Sequence, residues 1–252
     1  MISDELITKN LLASNERIDD LNYKGMVLIQ SGDSFRFGTD SVLLSGFVRA
    51  SKNDHIIDLG AGSGVLSVLI HARTHCKVTA VEVDKLQCGR LVRSAELNGI
   101  SEYLDIVNAD YIKNTDSLGR GRYSCAVCNP PYFRTDCGPV SNRAGATHEE
   151  CADIYSIARA ASDLIKFGGK LFICFPSQRL AEAICALKQA DLEVKRLRPV
   201  CSTPSKPPYL CLIEAKKGAK PGIIFETNII ICDENGEYTA ETRRIYHIDG
   251  EN

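Results

Sequence analysis

His55-Ile-Ile-Asp58-Leu59-Gly60-Ala61-Gly62-Ser63-Gly64, followed by Val65-Leu-Ser-Val-Leu-Ile70, decides the fold. An apolar run ends in an acid, a glycine-rich turn follows, and an apolar helical pattern begins at once. That order is a strand–turn–helix unit at the first crossover of an open parallel sheet. Glycines let the backbone turn tightly and approach a ligand closely. In nucleotide-binding sheets of this kind, an acid about twenty residues on, at the end of the next strand, binds ribose hydroxyls. Here the next strand is Lys77-Val-Thr-Ala-Val81 and the acid is Glu82.

The dinucleotide fingerprint G-x-G-x-x-G/A does not fit this turn. It needs a small residue three places after its second Gly. Counting from Gly60 and Gly62 that place is Val65, and counting from Gly62 and Gly64 it is Ser67. A glycine-rich strand-to-helix connection with no ligand is the plainer alternative, and Glu82 in register speaks against it.

Downstream, strands and helices alternate. Strand 55–58 meets helix 64–73, and strand 77–82 meets helix 85–98, which Asn98-Gly99 ends. Strand 103–107 precedes Asn108-Ala109-Asp110, and strand 123–128 precedes a long loop. A helix from about 149 to 166 stops at Gly168-Gly169, and Lys170–Phe175 is a buried strand. Helix 177–190, strand 192–199, the loop Pro204-Ser-Lys-Pro-Pro208 and strand 209–215 follow, then strand 227–232 and a short helix near 239–247. The alternation predicts an α/β fold with a mainly parallel sheet whose last pieces are antiparallel. Upstream, Met26–Gln30 reads as a strand, and a Ser31-Gly32-Asp33 turn joins it to Ser34–Phe37 as a small hairpin. Thr39 or Asp40 is a natural N-cap for the helix that begins at Val42. Residues 1–50 are thus expected to be an extension packing on a core of residues 51–252.

Asn129-Pro130-Pro131-Tyr132 follows the apolar run Tyr123–Cys128. Two prolines hold the backbone extended or turned and remove two N–H donors. The bare carbonyls and the Asn129 amide oxygen can then converge on one point, suited to an NH₂ group, with Tyr132 stacking on whatever carries it. Read alone, the segment is equally a proline turn ending a strand, with Asn as the turn former.

Composition narrows the class. The chain has 252 residues, 44% hydrophobic and 25% charged, as in ordinary globular proteins. No apolar run is long enough to span a bilayer. The start, Met1-Ile-Ser-Asp-Glu5, is acidic without a signal-peptide pattern, so a cytoplasmic protein is expected. Eleven cysteines sit mostly in apolar runs at irregular spacing, which reads as reduced, buried thiols. Cys125-x-x-Cys128 is the one metal-like pair, but an odd step along a strand sends the two side chains to opposite faces. The five histidines show no ligand spacing, so no metal is expected. Net charge is −2, unevenly spread: between Leu164 and Lys220 eleven Lys or Arg stand against four acids, leaving the remainder acidic. A basic third suits a polyanion; scattered solvated lysines give the same count.

With Asp58–Gly64 (Asp-x-Gly-x-Gly-x-Gly), Glu82, Asp110 and Asn129–Tyr132 in this order, the chain resembles class I methyltransferases acting on amino nitrogen. It is most similar to the bacterial tRNA(Val) adenine-N6 methyltransferase family. That resemblance rests further on Phe35-Arg-Phe-Gly-Thr-Asp-Ser-Val-Leu-Leu44, on Asn142-Arg143-x-x-x-x-His148-Glu149, on Leu212-Ile-Glu-Ala-Lys-Lys-Gly218, on Pro221-Gly222 and on Asn235-Gly-Glu-Tyr238. One departure is Ala146-Thr147-His148, where the family more often carries a basic residue just before the His.

The resemblance implies a Rossmann-like class I methyltransferase fold: a mainly parallel seven-stranded sheet with helices on both faces and a small N-terminal extension. It implies S-adenosyl-L-methionine as cofactor, held by Thr39, Asp58, Gly60, Gly62, Glu82, Asp110 and Asn129. Glu82 is implied to hold the ribose diol, Asp110 the adenine amine, and Asp58 and Thr39 the methionine end. Asn129, Pro130 and Tyr132 are implied as the catalytic turn, with tRNA as partner to a monomer. Arg143, His148 and Lys206 are candidate RNA contacts, or surface and capping residues. The same turn also serves glutamine-N5 protein methyltransferases and guanine-N2 methyltransferases of ribosomal RNA. A non-catalytic RNA-binding protein is the reading from a different class.

Overall fold

The apolar runs and their intervening helices fold into one large sheet, covered on both faces, with a two-stranded ribbon beside it. The computed structural model describes residues 11–31, 38–131 and 153–248. In chain order the elements are β1 (Glu16–Asp20), β2 (Val27–Ser31), α1 (Thr39–Phe47), β3 (His55–Leu59), α2 (Val65–Thr74), β4 (Lys77–Glu82), α3 (Lys85–Leu97), β5 (Leu104–Asn108) and α4 (Thr115–Leu118). Then come β6 (Tyr123–Cys128), α5 (Ile154–Leu164), β7 (Ile165–Pro176), a 3-10 turn at Ser177–Arg179, α6 (Leu180–Gln189), β8 (Leu192–Cys201), β9 (Leu210–Lys217), β10 (Ile224–Phe225), β11 (Ile229–Ile230) and α7 (Ala240–Ile245).

The sheet runs β10-β8-β9-β7-β6-β3-β4-β5, with β11 also on β8. Strands β5, β4, β3, β6 and β7 are mutually parallel, and β9 lies antiparallel between β7 and β8. Seven strands of five residues or more form the expected sheet. The order reverses between β3 and β6, and ligands bind beyond the carboxyl ends of strands at such a switch point. The expectation that the last pieces are antiparallel holds for β9. It does not hold for β10 and β11, which run parallel to β8. The place beside β9 is already taken by β8, so a chain turning back after β9 lies against the outer edge of β8, in the same direction as that strand.

Strand residues alternate between two cores. Ile56, Val78, Val127 and Phe172 face α1, α2 and α3, while Ile57, Val81, Ala126 and Ile173 face α4, α5 and α6. Each of the Ile, Val and Phe side chains among them, fully buried, contributes roughly 1.5–3 kcal/mol. Cys125 and Cys128 fall in different cores, as their odd spacing requires. The described cysteines are free thiols, mostly buried. No helix among the described residues is long and apolar enough to cross a membrane.

Two local expectations change. The strand read at 26–30 is β2, but its partner is the upstream β1, with Glu16 opposite Ser31 and Asp20 opposite Val27. The downstream arm expected at 34–37 lies outside the described residues. The other edge of β2 is closed by α3: Ile29 N donates to Ser94 Oγ at 2.9 Å, and Asn98 accepts from Val27 N and donates to Val27 O. Gly168-Gly169 is also not a helix stop. The helix ends at Leu164, and the glycines sit inside β7 where its register against β6 shifts between Tyr123 and Cys125. A Cβ on Gly169 would stand 2.8 Å from the Lys166 carbonyl and 3.0 Å from that of Ser124, so the bulge itself needs glycine.

Candidate active site

At the carboxyl ends of β3 and β4 the glycine-rich turn folds back over its neighbour. Gly60 N and Ala61 N both donate to the Val81 carbonyl, at 2.9 and 3.0 Å. The middle of the turn is held by a side chain: Gly62 N donates to Glu82 Oε2 at 2.8 Å, and Asp84 N donates to Glu82 Oε1 at 2.9 Å. Gly62 has φ +54° and Gly64 has φ +90°, both in the left-handed region. A Cβ on Gly64 would lie 2.2 Å from Leu91 Cδ1, so this glycine also lets α2 start against α3. Tyr111 packs under the turn, 3.7 Å from where a Cβ on Gly60 would be.

Asp58 is fully buried below this turn. Its Oδ2 accepts from the Ser67 hydroxyl at 2.6 Å, and its Oδ1 has no hydrogen-bond partner among the described residues. Burial pushes its carboxyl up to about 7, with the Ser67 hydroxyl pulling the other way and the Glu82 charge adding to the rise. An unsatisfied buried acceptor is costly, and a cationic or N–H-bearing guest relieves that cost. Asp110, at the end of β5, caps its own turn: Oδ1 accepts from Ile112 N at 2.9 Å and Oδ2 pairs with Lys113 Nζ at 3.0 Å. Burial acts to raise its carboxyl, but Lys113 and the turn amides outweigh it and leave it below the usual range. An ionised carboxylate offers about four lone-pair positions, so Glu82 and Asp110 retain acceptor capacity beyond these contacts.

The acceptor half lies one strand away. Asn129 follows β6, level with Cys174 on β7, because Cys128 is opposite Ile173. Asn129 Nδ2 donates to Ser41 Oγ at 2.8 Å, and the Cys174 thiol donates to Asn129 Oδ1 at 3.1 Å. Ser41 belongs to the first turn of α1, so Thr39 and Asp40 are brought to the same place. Thr39 is the first helical residue rather than the cap; Gly38, with extended backbone, takes the cap position without a side-chain bond. The Thr39 side chain lies near the Tyr246 hydroxyl, which burial pushes up and Thr39 pulls down. Pro130 is buried and Pro131 exposed. Tyr132, Arg143 and His148 lie outside the described residues.

Lys206 is exposed on the β8–β9 connection, at the same end of the sheet as Asn129. The basic stretch does not gather there. Lys170 and Lys216 are opposite each other at the far end, and Lys217 faces Leu192 at the start of β8. Lys170 and Arg196 pair with Glu214, Arg198 pairs with Glu241, and Arg179 pairs with Glu182, so much of the charge ties elements together. A cavity of about 440 Å³ lined by Phe47, Arg49, Arg73 and Arg196 opens at the other end of α1. Its arginines are engaged: Arg73 donates to the Ser45 and Val48 carbonyls and Arg196 also pairs with Glu226. Ser41, Cys174 and Tyr111 are the site residues that the sequence does not single out. Their only signal is three-dimensional, apart from the place of Ser41 in the Thr39-Asp40-Ser41 run.

A family model described as "Methyltransferase small domain" matches residues 29–195. A curated relative from Shewanella sediminis, named tRNA1(Val) (adenine(37)-N6)-methyltransferase, is 26% identical, covering 81% of this chain and 88% of its own. A relative of the same name from Porphyromonas gingivalis is 27% identical, covering 90% and 93%. Among solved structures, a predicted O-methyltransferase from Agrobacterium tumefaciens superposes with a TM-score of 0.68 at 21% identity, covering 82% of this chain and 94% of that one. That likeness is one of fold.

Proposed function

The chain belongs to the methyltransferase small domain family, and from that premise we propose that it methylates the exocyclic N6 of an adenine in tRNA, next to the anticodon of tRNA(Val). The cofactor is S-adenosyl-L-methionine. When bound, it supplies a methyl carbon made electrophilic by its sulfonium. The residues at the carboxyl ends of β3, β4 and β5 fit such a group: Glu82 for the ribose diol, Asp110 for the adenine amine, the Gly60–Gly62 turn for close approach, and the unsatisfied Asp58 Oδ1 with Thr39 for the cationic methionine end.

The adenine N6 amine is a weak nucleophile, because its lone pair is delocalised into the ring. The Asn129 amide oxygen and the Pro130 carbonyl accept its two hydrogens, which aims the lone pair and stabilises the positive charge growing on nitrogen in the transition state. Most of the acceleration is therefore positioning. No side chain has to remove a proton first, since the methylated nitrogen sheds it readily. Tyr132 stacks on the adenine, which leaves a loop more cheaply than a duplex. Lys206, Arg143 and His148 are the candidate contacts to the RNA. The chain works as a monomer in the cytoplasm.

The observation that carries this reading is the Asn129 amide, held at both ends by Ser41 and Cys174, one strand from the Glu82–Gly62 contact. The names of the relatives supply the nucleobase and the RNA. Incubation with methyl-labelled cofactor and unmodified tRNA tests it. Label that is lost to RNase and survives protease is expected. Label that survives RNase but not protease overturns the reading in favour of a protein glutamine.

A further inference from the structure

Asn129 has an oxygen end and a nitrogen end, and only the oxygen can accept hydrogen from an amine. Rotation about its last side-chain bond exchanges the two, and that torsion is broad and roughly two-fold. Something else must choose the orientation. In the structure the Nδ2 end donates to the Ser41 hydroxyl oxygen at 2.8 Å, and the Oδ1 end accepts from the Cys174 thiol at 3.1 Å. The reversed amide would have to donate to a sulfur, which is a weak acceptor.

We propose that Ser41 and Cys174 are the positioning residues of the acceptor site, setting the Asn129 amide so that its oxygen faces the amine to be methylated. The proposal rests on the reading of Asn129 given above. Both partners sit on rigid supports. Ser41 is in the first turn of α1, whose Leu43, Leu44 and Phe47 are buried in the core, and Cys174 is fully buried in β7. The Ser41 contact spans 88 positions of sequence, so it ties the helix that carries Thr39 to the turn that carries Asn129. Neither side chain is required to touch the adenine; each acts through the amide.

Steady-state kinetics on unmodified tRNA, with calorimetry of cofactor binding, tests this on the full chain. Ser41→Ala suits a helix turn and should fold. It should lower kcat roughly three- to tenfold, the size of one lost hydrogen bond. Cofactor affinity should stay within about twofold and the melting temperature nearly constant. Cys174→Ala should act in the same direction, whereas Ser41→Thr, which keeps the hydroxyl, and Cys174→Ser, which puts a hydroxyl donor in place of the thiol, should retain most of the activity. Wild-type kcat in both alanine variants overturns the proposal. So does a loss of kcat that travels with cofactor affinity and that Ser41→Thr does not recover. An unmutated protein that leaves tRNA unmethylated instead overturns the functional reading beneath it.

Discussion

Glu82 Oε2 stands 2.8 Å from the backbone nitrogen of Gly62, so the acid at the end of β4 holds the glycine-rich turn that follows β3. Its other oxygen accepts from Asp84 N at 2.9 Å. One carboxylate therefore fixes two loops and lies where a ribose diol is expected. Hydrogen bonds to a charged acceptor are worth roughly 1.5–3 kcal/mol each. Glu82→Ala should weaken S-adenosylmethionine binding at least about tenfold in calorimetry. Glu82→Gln, which keeps one acceptor oxygen, should fall between the two. Wild-type affinity in Glu82→Ala would remove Glu82 from the cofactor site.

Asn129→Ala separates binding from chemistry. Methyl transfer should fall by about two orders of magnitude or more, as for other groups that stabilise developing charge. Cofactor affinity should change by less than about twofold, because Asn129 Oδ1 is read as serving the amine. Single-turnover rates beside calorimetry check this. A parallel loss of both would show that the residue serves cofactor binding rather than the acceptor.

Asp58 gives the protein a pH dependence of unusual sign for a carboxylate. Burial raises it from 3.8 to about 7 in the folded chain. The folded state therefore holds this proton more tightly than the unfolded state does. Its contribution to stability is greatest below pH 4, declines as pH rises through the interval to 7, and is level above that. A tenfold difference in proton affinity between the folded and unfolded chain corresponds to about 1.4 kcal/mol. Asp58→Asn should flatten that decline and stabilise the cofactor-free protein above pH 7. Denaturant unfolding across pH 4 to 8 reads the difference, and identical slopes in the two proteins would show that Asp58 is ionised throughout.

Gly62 and Gly64 are both left-handed but should not behave alike. A Cβ at Gly62 meets nothing within 4 Å, whereas at Gly64 it meets Leu91 Cδ1 at 2.2 Å. Gly62→Ala should cost about 1–2 kcal/mol of backbone strain. Gly64→Ala adds overpacking of about 1–3 kcal/mol to a similar strain. Thermal unfolding should therefore place Gly64→Ala clearly below Gly62→Ala; the reverse order would mean that Leu91 moves aside freely.

Acid should loosen the ribbon of β1 and β2 from α3. Glu16 accepts from Arg90 Nε at 3.0 Å and from Arg93 Nη2 at 2.9 Å. The Arg93 contact, acting against burial, lowers its carboxyl to about 2. The stabilisation is present above pH 4.5 and is lost as pH falls through 2. Glu16→Gln should reduce stability at pH 7 and have a progressively smaller effect in acid. A constant difference across that range would show that the pair contributes packing alone.

The central strands are legible in the sequence because they carry their own signals. Lys77–Glu82, with Val78, Ala80 and Val81, and Tyr123–Cys128, apolar but for Ser124, stand out as strands, and the structure gives both the same bounds. Asp58–Gly64 combines an acid, a forced turn and a helix start, so the strand–turn–helix unit needs nothing distant. β1 is not legible: Glu-Arg-Ile-Asp-Asp has no alternation, and what makes it a strand is β2 beside it and Glu16 reaching α3 some 74 to 77 positions away. Gly168-Gly169 reads locally as a helix stop, yet the carbonyls that demand glycine belong to Lys166 and, across the sheet, Ser124. The site divides the same way. Glu82 and Asn129 stand out by position after a strand, whereas Ser41 and Cys174 become site residues only once α1 and β7 close around the amide.

The amine held by Asn129 is assigned to an adenine next to the anticodon of tRNA(Val). Mass spectrometry of nuclease-digested tRNA1(Val), prepared without modifications and incubated with the protein and S-adenosylmethionine, tests that assignment most directly. One added methyl as N6-methyladenosine, confined to the anticodon-loop fragment and absent with Asn129→Ala, is the predicted result. A methylated guanine, or an unmodified anticodon loop under conditions where the protein binds its cofactor, would contradict it.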